Sequence, residues 1–259
     1  MPRTADLEGA RLVRIGLGTN RLTDTAENRS FLEAAVNTDL NFIDTAHLYT
    51  GGESERTIGA ALAPVADDLV VGTKGGYNAG GGVEGLRAEA EESFERLRVE
   101  TIRLYYPHRV HPVGGIEVED AMGLLKEYRD AGRITHIGLS DVAVEQIERA
   151  RSVVPIAAVQ NEYSLSERRH DEVVDYCGEH GIVFVAFYPL HGENPPALAE
   201  IAERHGATPS QIRLAWLLKR SPIVVPIPGT LSLEHLKENL AALEIDLSDD
   251  EFQTLTARR

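Results

Sequence analysis

Eight short segments rich in Val, Ile and Leu recur along the chain, each followed by a stretch with helical apolar spacing. This alternation leaves few folds open. The strand-like segments lie near residues 11–16, 41–45, 69–73, 102–106, 134–139, 156–160, 182–187 and 223–227. Their near-continuous apolar character is that of parallel strands covered on both faces. Between them, Glu84 to Leu97 places Leu86, Ala90, Phe94 and Leu97 on one helical face. Glu117 to Tyr128 does the same with Ala121, Leu124, Leu125 and Tyr128. Gly132, Gly181 and Gly206 follow helical segments where a left-handed C-cap is wanted. Ser232 is placed to cap a last barrel helix running from Leu233 to Leu243. Eight such units predict an α/β fold, a (β/α)8 TIM barrel, with residues 1–259 forming a single domain. The competing architecture is an open, doubly wound sheet. No G-x-G-x-x-G with a correctly spaced acidic residue follows the first strand, which argues against it.

The bulk properties narrow the functional classes. At 259 residues the chain has the usual length of one α/β barrel, and nothing in it reads as a linker. A formal net charge of −15 makes it a poor general ligand for phosphate backbones or anionic bilayers. Neither nucleic acid nor membrane is therefore an expected partner, and an anionic cofactor has to be held by local donors. The opening Met1-Pro2-Arg3-Thr4-Ala5-Asp6 lacks the apolar run of a signal peptide. No stretch reaches the roughly 20 apolar residues of a membrane span. The single cysteine, Cys177, excludes an internal disulfide and fits a reducing cytoplasm. It falls in the helical stretch Asp171 to His180 and reads as core, as do Trp216 and Leu217. No metal is expected, and the chain is expected to be a monomer or a small homo-oligomer.

The strand ends carry the chemistry. Asp44 closes Asn41-Phe42-Ile43-Asp44, Lys74 closes Leu69 to Lys74, His108 closes Ile102 to His108, and Tyr49 follows Asp44 within one loop. Carboxyl ends of successive strands are where a (β/α)8 barrel builds its active site. Reducing a carbonyl needs a hydride donor and an acid that protonates the oxygen as negative charge develops. Tyr49 is the candidate acid. A phenol is a reluctant donor at neutral pH, and a neighbouring Lys74 ammonium is expected to stabilise the phenolate and lower its pKa. Asp44 is placed to hold Lys74 charged, and His108 to donate a hydrogen bond to the carbonyl oxygen. Each residue alone has a plainer explanation: a structural ion pair, a packing tyrosine, a satisfied polar histidine. The run Gly75-Gly76-Tyr77-Asn78-Ala79-Gly80-Gly81-Gly82 suggests a phosphate loop, but it lacks the Gly-Lys-Ser/Thr ending. It is read as a loop over the barrel mouth, with Tyr77 lining the substrate pocket.

At these residues the chain resembles the aldo-keto reductase family. The resemblance rests on Asn41-Phe42-Ile43-Asp44-Thr45-Ala46 with Tyr49, on Gly72-Thr73-Lys74, and on Leu104-Tyr105-Tyr106-Pro107-His108-Arg109. It continues through Ile137-Gly138-Leu139-Ser140, Val159-Gln160-Asn161-Glu162-Tyr163 and Pro226-Ile227-Pro228-Gly229-Thr230. The six motifs come in order over nearly the whole chain. The resemblance implies a tetrad of Asp44, Tyr49, Lys74 and His108. It implies NADPH as cofactor, NADH being the alternative, and a small-molecule carbonyl substrate. Ser140 and Gln160 would bond the nicotinamide carboxamide, with Asp141 standing where relatives usually carry Asn. An ionised Asp cannot donate there. Phe187 takes the place of the aromatic that stacks on the nicotinamide ring, with Tyr188, Pro189 and Leu190 following it.

Thr230 and Ser232 would meet the 2′-phosphate at the helix start, and Glu238 and Asn239 the adenine. Gly229 and His235 stand where many NADPH-preferring relatives carry Lys and Arg. Arg109 is a further candidate for the substrate pocket. The segments Arg109 to Ile116 and Pro189 to Gly192, and the tail after Leu243, are short for the family, so an open, shallow pocket is expected. Two other readings stay open. One is an NADPH-binding regulatory barrel with little turnover. The other is an aldolase using Lys74 as a Schiff-base nucleophile, which an Asp44 partner disfavours because it raises the lysine pKa.

Overall fold

The computed structural model describes residues 2–77, 81–110, 115–193 and 195–257. Eight parallel strands follow one another around a closed barrel: β3 (Leu17–Gly18), β4 (Phe42–Asp44), β5 (Val70–Gly75), β6 (Ile102–Pro107), β7 (Ile134–Ser140), β8 (Ala158–Glu162), β9 (Val183–Phe187) and β10 (Val224–Pro226). The ring closes where Gly18 meets Gly229 in a parallel bridge. Gly16 N donates to Pro226 O at 3.0 Å and Gly18 N to Pro228 O at 3.2 Å across the same seam. A Cβ at Gly18 would lie 2.8 Å from Ile227 O, so glycine is what lets the seam close.

The helices form the outer ring: α1 (Ala26–Ala35), α2 (Glu53–Leu62), α3 (Gly82–Leu97), α4 (Val118–Asp130), α5 (Val144–Arg151), α6 (Asp171–His180), α7 (Pro196–His205), α8 (Pro209–Arg220), α9 (Leu233–Ala241) and α10 (Asp249–Thr256). Ser232 accepts from His235 N as the expected cap of α9. Gly132, Gly181 and Gly206 all take the left-handed conformation. Cys177 is fully buried in α6, and Trp216 is stacked between Tyr163 and Phe252.

One expectation is corrected. Residues 11–16 are not the first barrel strand. β1 (Thr4–Leu7) and β2 (Ala10–Val13) form an antiparallel hairpin outside the barrel sheet. The Glu8-Gly9 turn that joins them has both residues at positive φ, as a two-residue hairpin of this twist requires. The hairpin carries Leu7 and Leu12, both fully buried, into one core with Phe42, Leu104, Tyr106, Val185 and Val225. A second, larger core lies between the sheet and the helices and includes Ile43, Phe94, Leu125 and Trp216. Arg14 follows the hairpin and is fully buried. Its guanidinium donates to the carbonyls of Leu218, Val224 and Pro2, and to Ser221 O at 2.5 Å, so the buried charge is fully solvated by backbone.

Candidate active site

The carboxyl ends of the strands open into a cavity of about 690 Å³. The first half of the barrel contributes Asp44, Tyr49, Lys74, Tyr77, His108 and Arg109 to its lining. The second half contributes Ser140, Asp141, Gln160, Phe187, Pro189, Leu190 and Gly229. Register explains the convergence, since Lys74 lies opposite Tyr106 and Ser140 opposite Gln160.

At the floor, Lys74 Nζ donates to Asp44 Oδ1 at 2.7 Å, to Asp44 Oδ2 at 2.8 Å and to Thr45 O at 2.7 Å. Gln160 Nε2 donates to the same Asp44 Oδ1 at 2.7 Å. Burial pushes the Asp44 pKa up and the Lys74 pKa down, each toward its neutral form, while their contact opposes both shifts. The four hydrogen bonds, all to the charged forms, are what an ion pair at this depth requires. Lys74 Nζ is 5.1 Å from the centre of the Tyr49 ring.

Tyr49 sits in a 3-10 turn, Tyr49–Gly52, whose residues Thr50, Gly51 and Gly52 all have positive φ. A chain of hydroxyls fixes that turn. Thr50 Oγ1 donates to Leu22 O at 2.7 Å and accepts from Ser54 N at 3.1 Å. Ser54 Oγ lies 2.7 Å from Thr45 Oγ1 and 2.8 Å from Thr19 Oγ1. The expected lowering of the Tyr49 pKa is not what the structure gives. Burial, and after it the Asp44 carboxylate, push the phenol above its ordinary range. The lysine charge is spent on Asp44, so the phenol is left with desolvation and a neighbouring anion.

His108 packs edge-on to Tyr49, with ring centres 6.1 Å apart, and to Tyr77 at 4.9 Å. Burial, with Lys74 and Arg109 nearby, lowers its pKa to about 2. The imidazole is therefore neutral and carries one N–H. Its Nδ1 is buried without a hydrogen-bond partner among the described residues.

The expected cofactor residues divide. Ser140, Asp141, Gln160, Phe187, Pro189, Leu190 and Gly229 line the cavity, whereas Thr230, Ser232, His235, Glu238 and Asn239 lie outside its lining. Asp141 and Tyr188, each directly after a strand, are left-handed with φ of 57° and 51° and turn the chain at the cavity rim. One of the two Gln160 side-chain N–H groups is committed to Asp44. Thr230 Oγ1 accepts from Ser232 N at 3.0 Å, ordering the approach to α9. The Glu238 carboxylate accepts from Thr208 Oγ1 at 2.7 Å, and Asn239 is buried.

Sequence reasoning missed Gly18, Thr19, Asn20, Arg21, Leu48, His191, Ile227 and Pro228, which also line the cavity. Arg21 is the most consequential. Its Nη2 lies 3.5 Å from Gly229 O, so a guanidinium stands beside the glycine that was read as replacing a lysine of many NADPH-preferring relatives. The only signal available for it was its place just after the first barrel strand. Asn78, Ala79 and Gly80 of the glycine-rich loop, and part of the short Arg109 to Ile116 segment, lie outside the described residues.

Comparison with known proteins converges on one group. The model of the Aldo/keto reductase family matches residues 14–194 and 188–258. Pyridoxine 4-dehydrogenase of Escherichia coli is 35% identical over 240 residues, covering 86% of this chain and 84% of the relative. Probable aldo-keto reductase 1 of Glycine max is 30% identical, covering 96% of this chain and 86% of the relative. Among solved structures, a thermostable aldo-keto reductase in complex with the inhibitor epalrestat superposes with a TM-score of 0.89 at 31% identity, covering 98% of both chains. An aldo-keto reductase from Klebsiella pneumoniae in complex with NADPH superposes with a TM-score of 0.84 at 25% identity, covering 99% of this chain and 95% of that one.

Proposed function

The chain belongs to the aldo/keto reductase family, and we propose that it uses NADPH to reduce aldehyde or ketone carbonyls to alcohols, with Tyr49 as the proton donor. One observation carries the reading: Asp44, Tyr49, Lys74 and His108 meet in a single cavity at the strand ends, with the ion pair beneath the phenol.

NADPH, when bound, supplies the hydride. The residues that would hold it fit the group. Phe187 offers a ring face and Ser140 a hydroxyl to the cavity, and Arg21 brings a cation beside Gly229. The N-terminus of α9 offers its dipole and unpaired N–H groups to an anion. The complex of the Klebsiella pneumoniae relative with NADPH supports the choice of cofactor.

Tyr49 protonates the carbonyl oxygen as negative charge builds there. Its raised pKa keeps the phenol protonated through the physiological range, so the acid is always loaded. An alkoxide is a stronger base than a phenolate, so the proton still moves downhill. Asp44 and Thr45 O hold the Lys74 ammonium in place, 5.1 Å from the centre of the Tyr49 ring. Neutral His108 donates one hydrogen bond to the carbonyl oxygen. With Nδ1 buried, this role calls for the tautomer that carries the N–H on Nε2.

The test is to follow reduced-nicotinamide absorbance after 4-nitrobenzaldehyde is added to protein with NADPH, and separately with NADH. Oxidation should be faster with NADPH, and Tyr49→Phe should lower kcat by roughly 10²- to 10⁴-fold while leaving cofactor binding in place. Tight cofactor binding without turnover would move the assignment to a regulatory barrel.

A further inference from the structure

We infer that Arg109 is a specificity residue, selecting carbonyl substrates that carry a carboxylate several atoms from the reacting carbonyl. The inference rests on the reductase reading above and names the substrate class of that same site.

Arg109 directly follows His108 and lines the cavity. Its guanidinium lies over the Tyr77 ring, 4.3 Å from the ring centre, and that ring in turn packs against His108 at 4.9 Å. The stacking fixes the plane of the guanidinium and leaves its edge free to donate. Its single charged contact among the described residues is Asp141 Oδ2, 4.0 Å from Nε, which is too long for a hydrogen bond.

This separates Arg109 from other arginines of an acidic chain. Arg133 grips Glu91 through two bonds of 2.6 and 2.9 Å, and Arg149 grips Glu119 through two of 2.8 and 2.6 Å. Of the other cations at the cavity, Lys74 is held by Asp44 and Thr45 O, and Arg21 stands beside Gly229, on the side proposed for the cofactor. Arg109 is thus a fixed cation, its terminal nitrogens without hydrogen bonds among the described residues, in a protein whose net charge of −15 otherwise repels anions.

The geometry also selects the anion. A planar fork of N–H donors matches a carboxylate. With Asp141 close by, one guanidinium balances a single negative charge better than the double charge of a phosphate monoester. The carbonyl would be held where Tyr49 and His108 converge, and the Tyr77 ring packs against both His108 and the Arg109 guanidinium. An aldehyde acid with a ring or a short chain between its two groups keeps its carboxylate clear of the reacting carbonyl and free to meet the Arg109 fork.

The experiment compares kcat/KM for 4-carboxybenzaldehyde with that for its uncharged methyl ester, methyl 4-formylbenzoate, under NADPH. The unsubstituted protein should favour the acid at least tenfold, through KM. Arg109→Met should bring the ratio to about one, and Asp141→Asn, which removes the competing carboxylate, should raise it. Phosphorylated 4-hydroxybenzaldehyde should gain no such advantage over the ester. A ratio near one in the unsubstituted protein, or a preference that survives Arg109→Met, would overturn the inference. The first of these needs no variant to fold. Continued NADPH oxidation with 4-nitrobenzaldehyde would show that the reductase reading stands without it, whereas loss of that oxidation too would remove both.

Discussion

At the scale of single residues, burial keeps Tyr49 and His108, the proposed acid and hydrogen-bond donor, neutral. His108 is the clearest case, because its pKa is lowered to about 2 from an ordinary 6.5. Over that window the unfolded chain binds a proton that the native imidazole refuses. The contribution of His108 to stability is therefore complete above pH 6.5 and is lost progressively as pH falls toward 2. The thermal midpoint should drop more between pH 7.5 and 5.0 for the unsubstituted protein than for His108→Phe, and equal drops would contradict the assignment. The same shift predicts that kcat/KM for an uncharged aldehyde shows no histidine ionisation between pH 5 and 8. The chemistry-bearing residues were legible in the sequence because Asp44, Lys74 and His108 each close an apolar run. Their electrostatics were not legible. The sequence pairs Lys74 with Asp44 and puts it near Tyr49, but only the structure shows the further bond to Thr45 O and the phenol's pKa raised. Arg21 escaped notice for a similar reason, since barrel closure and not chain proximity brings it to Gly229.

At the scale of elements, the helices were read more accurately than the strand that opens the barrel. α6 was read with its observed bounds, and the predicted start of α3 at Glu84 falls two residues inside Gly82–Leu97. Helical spacing over ten or more residues leaves little room for error. Residues 11–16 misled because Leu12, Val13 and Ile15 look alike whether their partner is a barrel strand or a hairpin strand, and local pattern does not carry the partner's identity. How α2 meets α3 was equally invisible. A Cβ on Gly59 would lie 2.2 Å from Arg96 O and 2.8 Å from the Leu97 carbonyl carbon, backbone that cannot rotate away. Replacing a mid-helix glycine by alanine normally gains about 1 kcal/mol. Here overpacking of about 1–3 kcal/mol should outweigh that gain. Gly59→Ala should lower the urea midpoint, and kcat should fall with it because α2 leads directly out of the Tyr49 turn. A midpoint that rises would show that the two helices can separate freely.

At the scale of the molecule, the barrel keeps stability and chemistry at opposite ends. The N-terminal hairpin packs Leu7 and Leu12 into the barrel interior with Val185 and Val225, while the cavity takes its residues from the other ends of the same strands. Arg14 ties the hairpin's exit to α8 and β10 through Leu218 O and Val224 O. The hairpin thus acts as a plug for strands whose far ends hold Asp44, Lys74 and Gln160. Leu12→Ala tests that division. Removing a fully buried leucine leaves a void that surrounding strands fill only in part, at a cost of about 2–5 kcal/mol. None of the four residues proposed for the chemistry belongs to this interior cluster. The variant should therefore melt well below the unsubstituted protein yet retain its kcat and its KM for NADPH at temperatures where it remains folded. If instead kcat fell several-fold at full folding, the plug would be setting the registration of the strand ends, and the two faces of the barrel would act as one unit.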